Sequence, residues 1–281
     1  MRLKAATATV LAVLVAVAPA LADEVLGKKG GSTYVVARKT IVTHRGATIR
    51  TRCPRAGNAV GGGFASDTGK IVAKASAPYD GGDPGSVRDN GWKARLRAVA
   101  PDQGSVYAIC RRQHYRFVRS VARRQEGEKI SASVHCPAGT HVIAGGGFAA
   151  PSAHRLQSSY PIDSSDPGSD PDDGWRVTLA RRSGTDDVHV YATCRQRRPF
   201  YAQSVGHIPR GLPLELEARC PPGRSVVGLG SRSFLHGTSV SLHTVAPLAG
   251  SKGGIPSRGT FVVVGKDGRQ RIRQAAYAVC L

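Results

Sequence analysis

Short apolar stretches alternate with polar positions along the whole chain, and Pro or Gly interrupts nearly every one of them. Ile130, Ala132 and Val134 alternate with Ser131, Ser133 and His135, the period of two that a half-buried strand requires. Read this way, the chain divides into three units of six strands. The units open at Tyr34 to Val42, Phe117 to Ala122 and Tyr201 to His207, about 83 residues apart. The second strands are Ala47 to Cys53, Ile130 to Cys136 and Leu214 to Cys220, and the glycine-rich third strands are Ala59 to Ala65, Val142 to Ala149 and Ser225 to Gly230. The fourth are Ile71 to Ala75, Leu156 to Tyr160 and Ser239 to Val245; the fifth are Trp92 to Val99, Trp175 to Arg181 and Thr260 to Gly265. The sixth are Val106 to Arg111, Val188 to Arg195 and Gln274 to Leu281. No stretch shows a helical stripe, so the expected class is all-β.

The units also share a motif. Cys53-Pro54 leads through Gly57 to Gly61-Gly62-Gly63-Phe64, Ala77-Pro78, Gly91-Trp92 and Tyr107-Ala108-Ile109-Cys110. Cys136-Pro137 leads through Gly139 to Gly145-Gly146-Gly147-Phe148, Tyr160-Pro161, Gly174-Trp175 and Tyr191-Ala192-Thr193-Cys194. Cys220-Pro221 leads through Gly223 to Gly228-Leu229-Gly230, Ala246-Pro247, Gly259-Thr260 and Tyr277-Ala278-Val279-Cys280, so Thr260 stands where tryptophan is expected. The boundaries read as a leader at 1–22, an N-terminal tail at 23–33, and repeats at 34–116, 117–200 and 201–281. The joins are short and strand-like, without a flexible linker. That favours one closed body with pseudo-threefold symmetry over three small tandem β-sandwich units.

Met1 to Ala22 has the form of a secretory signal peptide: Arg2 and Lys4, an apolar run from Ala5 to Ala18, and Ala20-Leu21-Ala22 before Asp23. No later segment is apolar for long enough to span a bilayer as a helix. Export permits disulfides, and the six cysteines Cys53, Cys110, Cys136, Cys194, Cys220 and Cys280 make three. Pairing within units closes loops of roughly 60 residues, each worth about 4 kcal/mol in the chain-entropy description. A scheme between units, Cys110 with Cys136, Cys194 with Cys220 and Cys280 with Cys53, is also symmetric. Pairing within units is favoured because each unit then holds its own staple. Close Cys pairs or His clusters that would suggest zinc do not occur.

The formal charge is +21, falling to +19 without the leader. A charge of this size implies a polyanionic partner or tolerance of one, and GC-rich coding would also raise arginine content. The arginines cluster. Arg111, Arg112, Arg116, Arg119, Arg123 and Arg124 follow the first unit's last cysteine, beside His114, Tyr115 and Phe117; Arg195, Arg197 and Arg198 follow the second's, beside Phe200 and Tyr201. Cations interleaved with aromatics suit a polyanion-binding rim. They also suit a solvated connection whose aromatics enter the next unit.

Other chemistry is thin. The glycine runs lack the helix and Lys-Ser or Lys-Thr of a phosphate loop, and glycine in a strand marks a bulge or a close backbone approach. Trp92, Trp175, Tyr107, Tyr191 and Tyr277 read as packing residues, the tyrosines facing away from the cysteine three positions on. Asp80, Asp83 and Asp89, and Asp163, Asp166, Asp170, Asp172 and Asp173, crowd matching loops; the third unit has Gly250-Ser251-Lys252-Gly253-Gly254 there. Their spacing fits turns better than a calcium loop. His135, His141 and His189 have no evident nucleophile, so no catalytic residue, metal or cofactor is expected.

The CPxG, GGGF, GW and YAxC pattern resembles a repeat of secreted bacterial proteins of actinobacterial type, over Tyr34 to Leu281. More loosely, CPxG with a glycine-rich apolar strand and a later Cys is similar to vitelline membrane outer layer proteins. That similarity implies a β-prism of three sheets and no site residue. The expectation is therefore an all-β, β-prism-like, non-enzymatic secreted protein. Its expected partner is an anionic polymer, either an envelope or acidic polysaccharide or nucleic acid. A lectin-like module for neutral glycans and a structural or inhibitory protein are the alternatives.

Overall fold

A computed structural model of the chain describes residues 24–29, 33–54, 57–80, 90–113, 115–122, 124–126, 129–150, 154–163, 170–180, 187–208, 213–234, 240–248, 258–265 and 272–281. The leader at 1–22 lies outside them. After β1 (Glu24–Lys29), the first unit supplies β2 (Thr33–Val42), β3 (Ala47–Arg52), β4 (Asn58–Ser66), β5 (Ile71–Tyr79), β6 (Gly91–Ala98) and β7 (Asp102–Arg111). The second supplies β8 (Arg116–Ala122), β9 (Arg124–Glu126), β10 (Lys129–His135), β11 (His141–Ala150), β12 (Arg155–Ile162), β13 (Gly174–Ala180) and β14 (Asp187–Arg195). The third supplies β15 (Phe200–Ile208), β16 (Pro213–Arg219), β17 (Val226–Ser233), β18 (Val240–Leu248), β19 (Arg258–Gly265) and β20 (Ile272–Cys280). All eighteen expected strands are present, and the described residues contain no helix. The two unexpected strands are β1, which forms part of the expected tail and pairs antiparallel with β2, and the short β9, which pairs with β10.

No unit forms a sheet by itself. Sheet I runs β1-β2-β7-β4-β18-β19-β16, sheet II runs β3-β6-β5-β11-β14-β8, and sheet III runs β15-β20-β17-β12-β13-β10-β9. Each unit thus gives its first, third and sixth strands to one sheet and its second, fourth and fifth to another. The halves join at matching places: Phe64 opposite Val245, Gly147 opposite Ser76, and Ser159 opposite Ser231. One apolar core contains residues of all three units, among them Val60, Trp92, Ile143, Trp175, Val227 and Phe261. Three tandem sandwiches are incompatible with this exchange.

The glycine-bearing strands β4, β11 and β17 contact one another, as do the fourth strands β5, β12 and β18. Both sets lie about the pseudo-threefold axis, where backbones approach closely. A Cβ on Gly63 would lie 1.9 Å from the carbonyl oxygen of Val245, and one on the equivalent Gly146 would lie 2.2 Å from that of Ser76. Gly62 and Gly145 serve another purpose. A Cβ on either would lie 2.3 Å from the indole of Trp92 or Trp175 respectively. Both indoles are buried, and each donates through Nε1 to a serine, Ser76 or Ser159, at 2.9 Å.

Ladder register corrects two equivalences. Gly62 faces Ala108, Gly145 faces Ala192 and Leu229 faces Ala278, so the glycine runs overlap at two positions, one residue out of step. Trp92 faces Pro78, Trp175 faces Pro161 and Gly259 faces Pro247. Gly259, not Thr260, therefore stands in the tryptophan position. The Gly–Trp pair is inverted in the third unit: Leu229 fills the space, and a Cβ on Gly259 would lie 2.2 Å from its Cδ2. Val245 replaces the serine, since no indole needs an acceptor.

The disulfides are Cys53–Cys110, Cys136–Cys194 and Cys220–Cys280, all within units. Each joins the residue just after a second strand to the sixth strand of the same unit. Because those strands lie in different sheets, the bridges tie II to I, III to II and I to III. The turn after the first cysteine is closed by Thr140 N–H donating to the Pro137 carbonyl at 3.0 Å and Arg224 N–H to that of Pro221 at 3.1 Å. Gly139 and Gly223 have φ of 74° and 79° there, which explains the CPxG spacing of the second and third units; in the first, Gly57 stands one residue later.

Asp102, buried at the start of β7, holds the β4–β5 turn. Its carboxylate accepts from Ser66 Oγ, the Thr68 N–H and the Lys70 N–H. Burial raises its pKa, but these hydrogen bonds together outweigh burial and leave it below the ordinary value. The unfolded-state value is near 3.9. The stabilisation is therefore complete above that value and is lost as pH falls through the lower folded-state value. Asp102→Asn should cost about 2 kcal/mol at neutral pH. It should also flatten the decline in denaturant midpoint below about pH 4; equal declines in the two proteins would exclude the role.

Candidate cationic cleft and sheet face

The arginines that follow the first two units separate into groups. Arg111 ends β7, Arg112 is exposed in the connection, and Arg116 opens β8 opposite Cys194. Arg116, Arg195 and Arg197 line an open cleft of about 520 Å3 with Tyr115, Gln113 and Thr140. Burial pushes the Arg195 guanidinium below its ordinary value; Arg111 and Arg197 push it the same way and Tyr115 opposes them. Arg111 Nε is buried without a hydrogen-bond partner. Tyr115 is fixed by its hydroxyl, which donates to Gln113 Oε1 at 3.0 Å. The chain brings these cations together because each sixth strand runs directly into the first strand of the next unit, and that strand pairs beside the following sixth strand.

Arg198 is engaged elsewhere. Its guanidinium meets Asp170 at 3.3 Å and the buried Asp172 at 3.1 Å, and Asp172 also meets His141 Nδ1 at 2.8 Å. Tyr201 donates to the Val142 carbonyl in the same corner, and burial followed by the charges of Asp172 and Asp170 pushes its hydroxyl pKa up. Two of the crowded acids thus anchor the second connection. Asp83, Asp89 and Asp166 lie outside the described residues, as do Arg123 and His114. Arg124 lies in β9, at the edge of sheet III.

Arg119 leads onto the outer face of sheet II, which the motif did not reveal. Its guanidinium lies 3.4 Å from His189 Nδ1. The His189 ring stacks on Phe148 with centroids 4.8 Å apart, and Lys93 Nζ sits 4.8 Å over the Phe148 ring. Lys93 faces Arg50, and Arg95 faces Thr48, across the β3–β6 ladder. These four residues and Phe148 line a second depression of about 260 Å3. A run of cations and rings therefore crosses sheet II from β8 to β3. Its sequence signal is the alternation Lys93, Arg95, Arg97 with buried Ala94 and Leu96. The neighbours on β11 and β14 come from another unit, so only register assembles the run.

Trp92 and Trp175 are buried and offer no sugar-stacking surface. Tyr191 and Tyr277 are covered on the outer faces of their sheets. Among the described residues no helix is long and apolar enough to cross a membrane. No protein-family model and no curated protein sequence matches the chain, so any function assigned to it rests on the arrangement of its own residues.

Proposed function

We propose that the protein is a secreted, non-enzymatic binding protein that engages an acidic polysaccharide or a related anionic envelope polymer. The observation that carries this reading is the convergence of Arg116, Arg195 and Arg197 on one cleft beside Arg111; burial depresses the Arg195 guanidinium, and repulsion from Arg111 and Arg197 adds to it. A bound polymer of negative groups relieves that repulsion. The Arg119–His189–Phe148–Lys93 run continues the cationic track across sheet II and supplies rings against which a chain can pack. The leader pattern at Met1–Ala22 and the three disulfides support export. Burial of both tryptophans counts against the neutral-glycan alternative.

The test is binding of heparin as a sulfated polysaccharide probe, with polyglutamate and single-stranded DNA alongside, across a salt series. Removing three cations with Arg116→Ala, Arg195→Ala and Arg197→Ala should flatten the log K against log salt slope by about 2. It should weaken binding about 100-fold at about 0.1 M salt. Salt-independent binding, or an unchanged slope in the triple variant, would overturn the proposal.

A further inference from the structure

A separate feature lies where the three fourth strands meet. Each carries a bulge at the same place, between Ala73 and Ala75 in β5, Leu156 and Ser158 in β12, and Leu242 and Thr244 in β18. The residues skipped by the ladders are Lys74, Gln157 and His243, and those two positions earlier are Val72, Arg155 and Ser241. Since β5, β12 and β18 touch one another, these six equivalent positions gather at one end of the pseudo-threefold axis. Five of the six line a single cleft of about 520 Å3, which Lys70, Arg97 and His44 complete; Gln157 is buried. All three sheets contribute to it.

Its chemistry is one-sided. Lys70, Lys74, Arg97 and Arg155 bring four cationic side chains, His44 and His243 are beside them, and none of the described lining residues is acidic. Asp102, whose carboxylate acts on His243, is already held by three donors of the β4–β5 turn. The cleft is pre-ordered: Arg97 Nε donates to the His44 carbonyl at 2.9 Å, and Arg155 reaches Ser241 Oγ at 3.5 Å. His243 bonds the Gly69 backbone, yet its Nδ1 is buried without a hydrogen-bond partner. Val72, Ala98 and Val99 add an apolar wall, and the volume lies within the range of small-molecule sites. Guanidinium and ammonium groups together suit a tetrahedral oxyanion, the first by paired donors and the second as a point charge.

We propose that this axial cleft binds a small organic molecule bearing a phosphate or sulfate group, with Lys70, Lys74, Arg97 and Arg155 around the anion and Val72, Ala98 and Val99 against its apolar part. The site shares no residue with the arginine cleft between β8 and β14. The test is calorimetric titration with phenyl phosphate, phenyl sulfate and phenol, together with the His ring resonances in NMR. Either anion should bind, phenol should not, and the His243 ring should shift; the tighter of the two anions identifies the source as a phosphate or a sulfate ester. Lys74→Gln copies the residue already accommodated at the equivalent Gln157. Combined with Lys70→Gln, it should weaken anion binding at least about tenfold while leaving the melting temperature and heparin binding unchanged. Failure of both anions to bind, equal binding of phenol, or undiminished affinity in the double variant would overturn the assignment. Loss of heparin binding in the Arg116, Arg195 and Arg197 variant with this site intact separates the two proposals.

Discussion

Gly62→Leu should destabilise the protein by about 3 kcal/mol or more, and adding Trp92→Gly should restore much of the loss. The first change places a branched side chain where a single Cβ would already lie 2.3 Å from a fully buried indole. Neither strand can yield, because β4 is paired with β7 on one side and meets β18 on the other. Overpacking of this kind costs about 1–3 kcal/mol, and more where the neighbours are rigid. Trp92→Gly alone should cost about 3–5 kcal/mol through the cavity it opens. The two together rebuild the Leu229–Gly259 pair that the third unit already uses. Their coupling should therefore be favourable by about 2–3 kcal/mol in a double-mutant cycle of denaturant midpoints. Adding Ser76→Val, as at Val245, should recover more by removing a buried hydroxyl that has lost its donor. Additive losses would show that the third unit's packing is not a mirror of the other two.

Replacing Cys136 and Cys194 together by serine should lower stability by about 4 kcal/mol. The bridge spans 58 residues, so the unfolded chain regains a large loop when it is removed. That is a large share of the roughly 5–15 kcal/mol that holds a typical domain. The loss should fall on the boundary between sheets II and III, since Cys194 is buried in β14 and Cys136 follows β10. Hydrogen exchange should then report early opening of β10 and β14 amides. A midpoint shift equivalent to less than about 1 kcal/mol would show that strand exchange between units already supplies the constraint.

Much of this architecture is legible in the chain because its signals are local. Alternation, Pro and Gly punctuation and the recurring cysteines locate every strand from Thr33 onward except the three-residue β9. The same repetition favours the pairing of Cys53 with Cys110 but also admits the symmetric scheme between units, and only the folded chain decides between them. What is illegible is non-local. Nothing near Gly63 announces that its backbone rests against Val245, and so nothing assigns the two halves of a unit to different sheets. The Thr260 assignment failed by one residue because no tryptophan marks the register there. Among the arginines, proximity along the chain grouped Arg198 with Arg197, but Asp170 and Asp172 are brought to Arg198 by folding. Lys93, Phe148 and His189 lie on three strands from two units, and only the completed ladders make them neighbours.

Sheet exchange also sets an order of events. The first unit's third strand finds its outer partner at Val245, far along the chain, so sheet I stays open until the last unit is present. A nascent chain therefore exposes the edge of β4 and the apolar face beneath it, and cannot mature one repeat at a time. Such distant pairings make folding slow and leave strand edges open to aggregation while it proceeds. Maturation becomes a single late event in which the last strands to arrive lock the first ones.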